Sequence, residues 1–294
     1  MDDQDLAVRV RGDVRIAFGS AKGPVREDNQ DDYVVYEPED DARFAVDGRL
    51  LAVADGMGGG PAGGEASRLA LRALLSSWLN TDGDDTDVTA RLTAAFECAC
   101  DSIEREAKRD RTLAGMGTTL TAANVIGHRL YGVHVGDSAC FLLRAGRLDR
   151  LTELHHAGLD EHRLTKAVGV GKRRPKPDTF SADLLPGDRV LWVTDGLWPA
   201  VPEHELVAMI RATVAQEAVE DLLTRAQQLS GQDNATVVLL ELLEAPGEDA
   251  TVEPVEAEAA TAWPRPVPKQ GWLAIAWPWL LLAVGAGLGI AAVT

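Results

Sequence analysis

Leu50-Leu51-Ala52-Val53-Ala54-Asp55-Gly56-Met57-Gly58-Gly59-Gly60 decides how the rest of the chain is read. Five apolar residues run into an acid, and four of the next five positions are glycine. An unbroken apolar run of this length, ended by glycines, predicts a strand covered on both faces. Asp55 then stands where a covered strand meets an open loop. A carboxylate there is costly to keep charged without a partner. It calls for a cation, and the glycines let backbone carbonyls approach that cation too. Taken alone, Asp-Gly is ordinary turn chemistry, so its meaning depends on whether the pattern recurs.

It does recur. Leu191-Trp192-Val193-Thr194-Asp195-Gly196 is a second apolar strand ending in Asp-Gly, and Val133-His134-Val135-Gly136-Asp137-Ser138 ends a third in an acid. Gln232-Asp233-Asn234 comes directly before the apolar run 235–240. If these strand ends gather at one edge, divalent cations must cancel the repulsion among the acids. Carboxylate and carbonyl oxygens are hard ligands suited to Mg²⁺ or Mn²⁺. No His-Cys grouping competes for zinc. A pair of hard cations can clamp a phosphoryl group and activate a water.

The totals agree with such a site. The chain has 294 residues, 46% of them hydrophobic, which is enough for a sizeable core. A net charge of −17 is the wrong sign for nucleic-acid binding and suits a cationic cofactor or a basic partner surface. Cys98, Cys100 and Cys140 are too few for a disulfide framework and point to a reducing compartment. The acidic start, Met1-Asp2-Asp3-Gln4-Asp5, lacks the features of a secretion signal.

Periodicity predicts strands at 14–19, 33–36 and 50–54, then helices over 65–79 and 87–109 with apolar residues recurring at three and four. Strands follow at 118–125, 129–135, 139–144 and 148–151, joined by short glycine turns that imply antiparallel pairing. Residues 152–177 look irregular and end in the basic run Lys172-Arg173-Arg174-Pro175-Lys176, expected to be a solvated loop. Strands at 179–184 and 189–194, helices at 203–212 and 216–229 and a strand at 235–242 complete the domain. Helices clustered between hairpin strands indicate an α+β fold.

The character then changes. Six acids and no base fall between Glu244 and Glu258, and prolines stand at 264, 266 and 268. Residues 244–270 thus read as a linker. From Trp272 to Val293 there is no charged residue. About 22 residues at ~1.5 Å each match a bilayer core of ~30 Å, so 271–294 is expected to be a single transmembrane helix. Trp272, Trp277 and Trp279 suit an interfacial belt, and Arg265 and Lys269 on the domain side place that domain in the cytoplasm at the inner membrane.

Six motifs, in order, now carry a resemblance: Arg26-x-x-Asn29-Gln30-Asp31, Asp55-Gly56-Met57-Gly58-Gly59, Gly115-Met116-Gly117-Thr118-Thr119, Gly136-Asp137-Ser138, Thr194-Asp195-Gly196-Leu197 and Asp233-Asn234-Ala235-Thr236. Over about residues 12–242 the chain resembles the metal-dependent serine/threonine protein phosphatases of the PPM (type 2C) family in their short bacterial form. The resemblance implies a phosphatase domain over 1–243, a sandwich of two antiparallel sheets flanked by helices. It implies that Asp55 bridges two Mn²⁺ or Mg²⁺ ions, with the Gly56 carbonyl on one and Asp195 and Asp233 completing the other. Asp137 resembles the acid that supports a third, weaker metal. Arg26 resembles the guanidinium that grips the substrate phosphate, and Asp31 sits in the shell behind the metals. The implied reaction is hydrolysis of protein phosphoserine and phosphothreonine by a metal-activated water, membrane-tethered and countering a Ser/Thr kinase.

The chain departs from the family at three places. Gly60 stands where a histidine usually follows Asp-Gly-Met-Gly-Gly, Ala139 stands where arginine commonly follows Gly-Asp-Ser, and the span 151–178 is short. His155, His156 and His162 in that span are expected to be surface loop residues. The alternative of another class is a catalytically inactive phosphoprotein-binding module of the same fold. Retention of Asp55, Asp195, Asp233 and Arg26 argues against it.

Overall fold

A computed structural model describes residues 7–58, 62–81, 87–157, 160–171, 173–212, 214–229 and 233–243. The chain divides into two units, 1–248 and 249–294, and every described residue falls in the first. The expected linker and transmembrane helix, and Gly60, lie outside the described residues. Among those that are described, no helix is long and apolar enough to cross a membrane.

In chain order the elements are β1 (Ala7–Arg11), β2 (Val14–Ala21), β3 (Asp31–Tyr36), α1 (Asp41–Asp47), β4 (Arg49–Met57), α2 (Ala62–Asn80) and α3 (Val88–Arg109). Next come β5 (Gly117–Thr118), β6 (Leu120–Ile126), β7 (Arg129–Val135), β8 (Ala139–Arg144), β9 (Arg147–Arg150), β10 (His156–Ala157) and β11 (Asp160–Leu164). The series ends with β12 (Asp178–Asp183), β13 (Arg189–Val193), α4 (Glu203–Ala212), α5 (Ala215–Leu229) and β14 (Ala235–Leu242). One sheet runs β1-β2-β14-β13-β8-β9 and the other β12-β7-β6-β4-β3, with β5 paired to β4. Every pairing is antiparallel.

Each sheet is covered by helices on one face and by the other sheet on the opposite face. Along β4, Leu50, Ala52 and Ala54 pack on α2 and α3 with Leu71, Leu74, Trp78 and Phe96. Leu51 and Val53 between them are also fully buried. In β14, Val237 and Leu239 pack on α4 and α5 with Leu206, Val219 and Leu222. The intervening Val238 and Leu240 are buried too, and β13 and β14 contact β3 and β4 across the sandwich. Period-two alternation in which both faces are apolar is what two facing sheets demand. The α+β expectation thus becomes a four-layer αββα sandwich, with the predicted strands and helices at or within a few residues of their expected bounds.

Three elements depart from the expectation. The hairpin β1–β2 begins earlier than any strand predicted from the sequence. Helix α1 is short and polar and is held by tertiary contacts: Asp40 caps it by accepting from Arg43 N at 2.8 Å, and Asp47 at its end, fully buried, pairs with Arg91 of α3 at 2.8 Å. Residues 152–177 are not wholly irregular, because β10 and β11 form a hairpin and Val168 bridges to Thr118.

Register is what matters for function. Val193 of β13 lies opposite Ala139 of β8 and Val237 of β14, and Ala235 lies opposite Ala21 of β2. In the other sheet Asp55 lies opposite Asp31, Val53 opposite Thr121, and Leu120 opposite Val135. The exits of β2, β4, β7 and β13 and the entries of β3, β8 and β14 therefore share one edge of the sandwich.

Candidate metal centre

Asp31 and Asp55 are direct cross-strand partners at that edge. Like charges placed opposite each other in a sheet are destabilising, so something must offset them. Two hydroxyls hold Asp31: Thr194 Oγ1 and Thr236 Oγ1 donate to its Oδ2 at 2.7 and 2.8 Å. Burial nevertheless dominates and, helped by Asp195 and Asp233, pushes its pKa up to about 7 against the pull of the two threonines. Burial also drives the Asp55 pKa well above the ordinary carboxylate range, with Asp31, Asp195 and Asp233 adding repulsion. Asp137, in the turn between β7 and β8, is pushed up to about 7 by burial and then by Asp195 and Asp233. Five acids from five separate chain segments therefore feel one another at one place.

The backbone around them is tightly fixed. Thr119 Oγ1 accepts from Asp55 N at 2.9 Å, while Thr118 Oγ1 donates to Asp55 O at 2.8 Å. Asn234 Nδ2 donates to Asn29 Oδ1 at 2.7 Å and to Asp28 O at 3.1 Å, tying the Arg26-to-Asp31 loop to the start of β14. The glycine of each Asp-Gly pair has a reason beyond approach to a cation. A Cβ on Gly56 would fall 2.0 Å from Gly63 O, and one on Gly196 would fall 1.9 Å from Asn234 O. Neither place admits a side chain.

Arg26 differs from its expected state. Its Nη2 lies 2.7 Å from Asp233 Oδ2, so the predicted phosphate grip rests on a predicted ligand. Both side chains are roughly half exposed, and such pairs are worth ~0–1 kcal/mol, so exchange for another partner is easy. A cavity of about 200 Å³ lies beside Arg26, Gln30 and Gly58. Another cavity, of about 1040 Å³, is lined by Thr152, Lys166, Arg174 and Asp178 and by none of these five carboxylates. Among the described residues, no group of three His, Cys, Asp or Glu side chains is already arranged to hold a metal ion. The donor set itself fits a hard divalent cation, being carboxylates and carbonyls without nitrogen or sulfur. Raised pKa values of three crowded acids are the signature of charge that a cation would cancel. Asp55, Gly56, Asp195, Asp233 and Asp137 are the residues able to hold such ions, with Asp31 buttressed by its two threonines.

Sequence reasoning missed Thr194 and Thr236. Thr194 adjoins Asp195 and Thr236 lies three positions after Asp233, which was the available signal. It also misplaced His155, which is buried and not a surface residue, because its ring is bonded to Gly136 and Asp178. Arg173, Arg174 and Lys176 of the basic run are exposed, as expected of a solvated loop, and Arg174 also pairs with Asp101 and Glu104 of α3.

Comparison with known proteins adds to this picture. The profile of the family described as Protein phosphatase 2C matches residues 26–244. The serine/threonine protein phosphatase PstP of Mycobacterium tuberculosis H37Rv is 33% identical over 246 residues, covering 79% of this chain and 45% of PstP. The chain thus spans about half the length of that relative. The serine/threonine phosphatase stp of Listeria monocytogenes EGD-e is 31% identical over 255 residues, covering 80% of this chain and 98% of stp. The crystal structure of the catalytic domain of PstP in complex with two manganese ions aligns with a TM-score of 0.67 at 32% identity, over 79% of this chain and 99% of that one.

The electrostatics predict a pH dependence. An acid whose folded-state pKa is raised stabilises the fold below the ordinary value of 3.8, and that contribution is lost as pH rises through about 7. In chelated protein, Asp31→Asn should therefore melt a few degrees above wild type at pH 8, with the gap closing as pH falls towards 4. A gap of constant size across that range, followed by differential scanning fluorimetry, contradicts the burial of a strained charge at Asp31.

Proposed function

Because this chain belongs to the protein phosphatase 2C family, of the metal-dependent PPM type, we propose that it hydrolyses phosphoserine and phosphothreonine in proteins with the help of Mn²⁺ or Mg²⁺. The observation that carries this reading is the convergence of Asp31, Asp55, Asp137, Asp195 and Asp233 at one sandwich edge, beside Arg26. Asp55, the Gly56 carbonyl, Asp195 and Asp233 would hold two cations, and Asp137 would serve a third. Bound there, the cations make water nucleophilic at neutral pH and neutralise charge on the phosphoryl oxygens.

The chain's own part is placement. The threonine bonds to Asp31 and the Asn29–Asn234 bond fix the loops that carry the acids. Arg26 leaves Asp233 for the phosphate dianion, for which its planar fork is the better match. A phosphate monoester dianion is a poor electrophile, and concentrated positive charge at phosphorus is the main source of acceleration. Wild type should hydrolyse para-nitrophenyl phosphate and a phosphothreonine peptide only with Mn²⁺ present. Asp195→Asn should lower kcat on the order of 10²–10³-fold, as loss of a main electrostatic group does. A wild-type chain as inert as that variant favours the inactive phosphoprotein-binding module instead.

A protein substrate is supported by the cleft of about 1040 Å³ lined by His134, Lys166 and Asp178, with Arg173 and Lys176 exposed on its wall. On a chain of net charge −17 these cations are the local attraction for an acidic segment flanking the phosphoresidue. Arg173→Ser with Lys176→Ser should raise KM for an acidic phosphopeptide severalfold while leaving KM for the aryl phosphate unchanged. Equal effects on both substrates contradict a docking role.

We further propose that residues 271–294 anchor the enzyme in the inner membrane, with 244–270 as a tether and the catalytic domain in the cytoplasm, where it counters a Ser/Thr kinase. The support is the charge-free run Trp272 to Val293 with Arg265 and Lys269 on the domain side. The full chain should sediment with membranes through a high-salt wash, and a chain ending at Leu243 should not. Full-length protein left in the soluble fraction overturns the anchor.

A further inference from the structure

One polar cluster, with His134 and His155 buried and Lys166 and Asp178 partly exposed, takes no part in the chemistry above. It lies beside hairpin β10–β11, against the Gly136–Asp137–Ser138 turn. His155, 7% exposed, holds Gly136 twice. Its backbone N–H donates to Gly136 O at 2.8 Å, and Gly136 N–H donates to its Nδ1 at 3.0 Å. Because Nδ1 accepts, the ring proton sits on Nε2. That nitrogen lies 2.8 Å from Asp178 Oδ2 and donates to it. Lys166 Nζ donates to the other Asp178 oxygen at 2.7 Å. The ring of His134 stacks on His155 with centroids 5.0 Å apart, and its own Nδ1 is bonded to Thr121 Oγ1 at 2.8 Å.

The turn needs an external hold. Gly136 has φ +121°, a conformation L residues rarely adopt, and a Cβ there would meet Thr119 Cβ at 2.5 Å. Position 136 must therefore be glycine, so it has no side chain with which to anchor itself. On the far side Trp198 Nε1 donates to Asp137 O at 3.0 Å, and Ser138 Oγ lies 2.7 Å from Thr119 Oγ1. His155 supplies the remaining side, bonding both the N–H and the C=O of the residue immediately before Asp137.

We infer that His155 is a positioning residue for Asp137: oriented by Asp178 and Lys166, it clamps Gly136 and so holds the Asp137 carboxyl beside Asp195 and Asp233. The inference rests on the reading of those acids as cation ligands. The ring of His155 contacts Gly136, Asp178 and Lys166, so it acts on the acids through the backbone of the turn. It acts as outer-shell partners of ligands do, and loss of such partners typically costs 10–100-fold in metal affinity or activity.

The test uses the full chain in detergent, with Mn²⁺ binding by titration calorimetry alongside kinetics on para-nitrophenyl phosphate. His155→Ala should weaken the weakest Mn²⁺ site about tenfold and lower kcat about tenfold at limiting Mn²⁺, leaving KM for the ester unchanged. His155→Asn, whose Oδ1 can accept from Gly136 N–H, should restore most of both. Asp178→Ala, at a partly exposed position, should move the same two quantities about threefold, and it decides the matter if His155→Ala does not fold. Unaltered Mn²⁺ affinity in the folded variant, or Asn behaving no better than Ala, overturns the clamp. A wild-type chain that binds no Mn²⁺ overturns the metal reading itself, whereas wild-type binding with unaltered variants overturns only the clamp.

Discussion

Repulsion among Asp31, Asp55, Asp137, Asp195 and Asp233 is the strain this sandwich has to contain. The antiparallel register leaves no alternative: with Asp31 opposite Asp55, and Val193 opposite both Ala139 and Val237, the acids must share an edge. Burial raises the cost of their charge and pushes the Asp31 and Asp137 pKa values up to about 7. Hydroxyls, an arginine and a clamped glycine turn share the task of holding these groups in place. None of them removes the charge, and a bound divalent cation does.

Much of this was legible in the sequence because the acids punctuate apolar runs. A carboxylate at the end of a strand such as 189–193 or 129–135 is conspicuous, and the strands themselves are strongly patterned. The threonines that bind Asp31 were not legible as partners, since a threonine inside or beside a β-strand is explained by strand propensity alone. Helix α1 was missed because its stability lies in the Asp47–Arg91 contact, 44 residues apart in the chain. Hairpin β10–β11 has the sequence of a polar loop, and the partners of His155 lie across a turn and in a later strand. Long-range polar contacts of this kind leave no periodic trace.

The same contrast separates firm from exchangeable parts of the site. Asp31, Thr194 and Thr236 are buried and mutually bonded, so they belong to the frame. Arg26 and Asp233 face solvent, and their pairing is the kind a stronger ligand displaces. On the proposed reading, function would divide between buried acids that gather cations and a half-exposed guanidinium that exchanges Asp233 for the phosphate.

The most direct measurement is anomalous diffraction from crystals soaked in Mn²⁺. The account predicts two strong peaks bounded by Asp55, Asp195 and Asp233, with Arg26 moved off Asp233 and a weaker third peak at Asp137. Peaks confined to the outer surface, or none between these side chains, would contradict it.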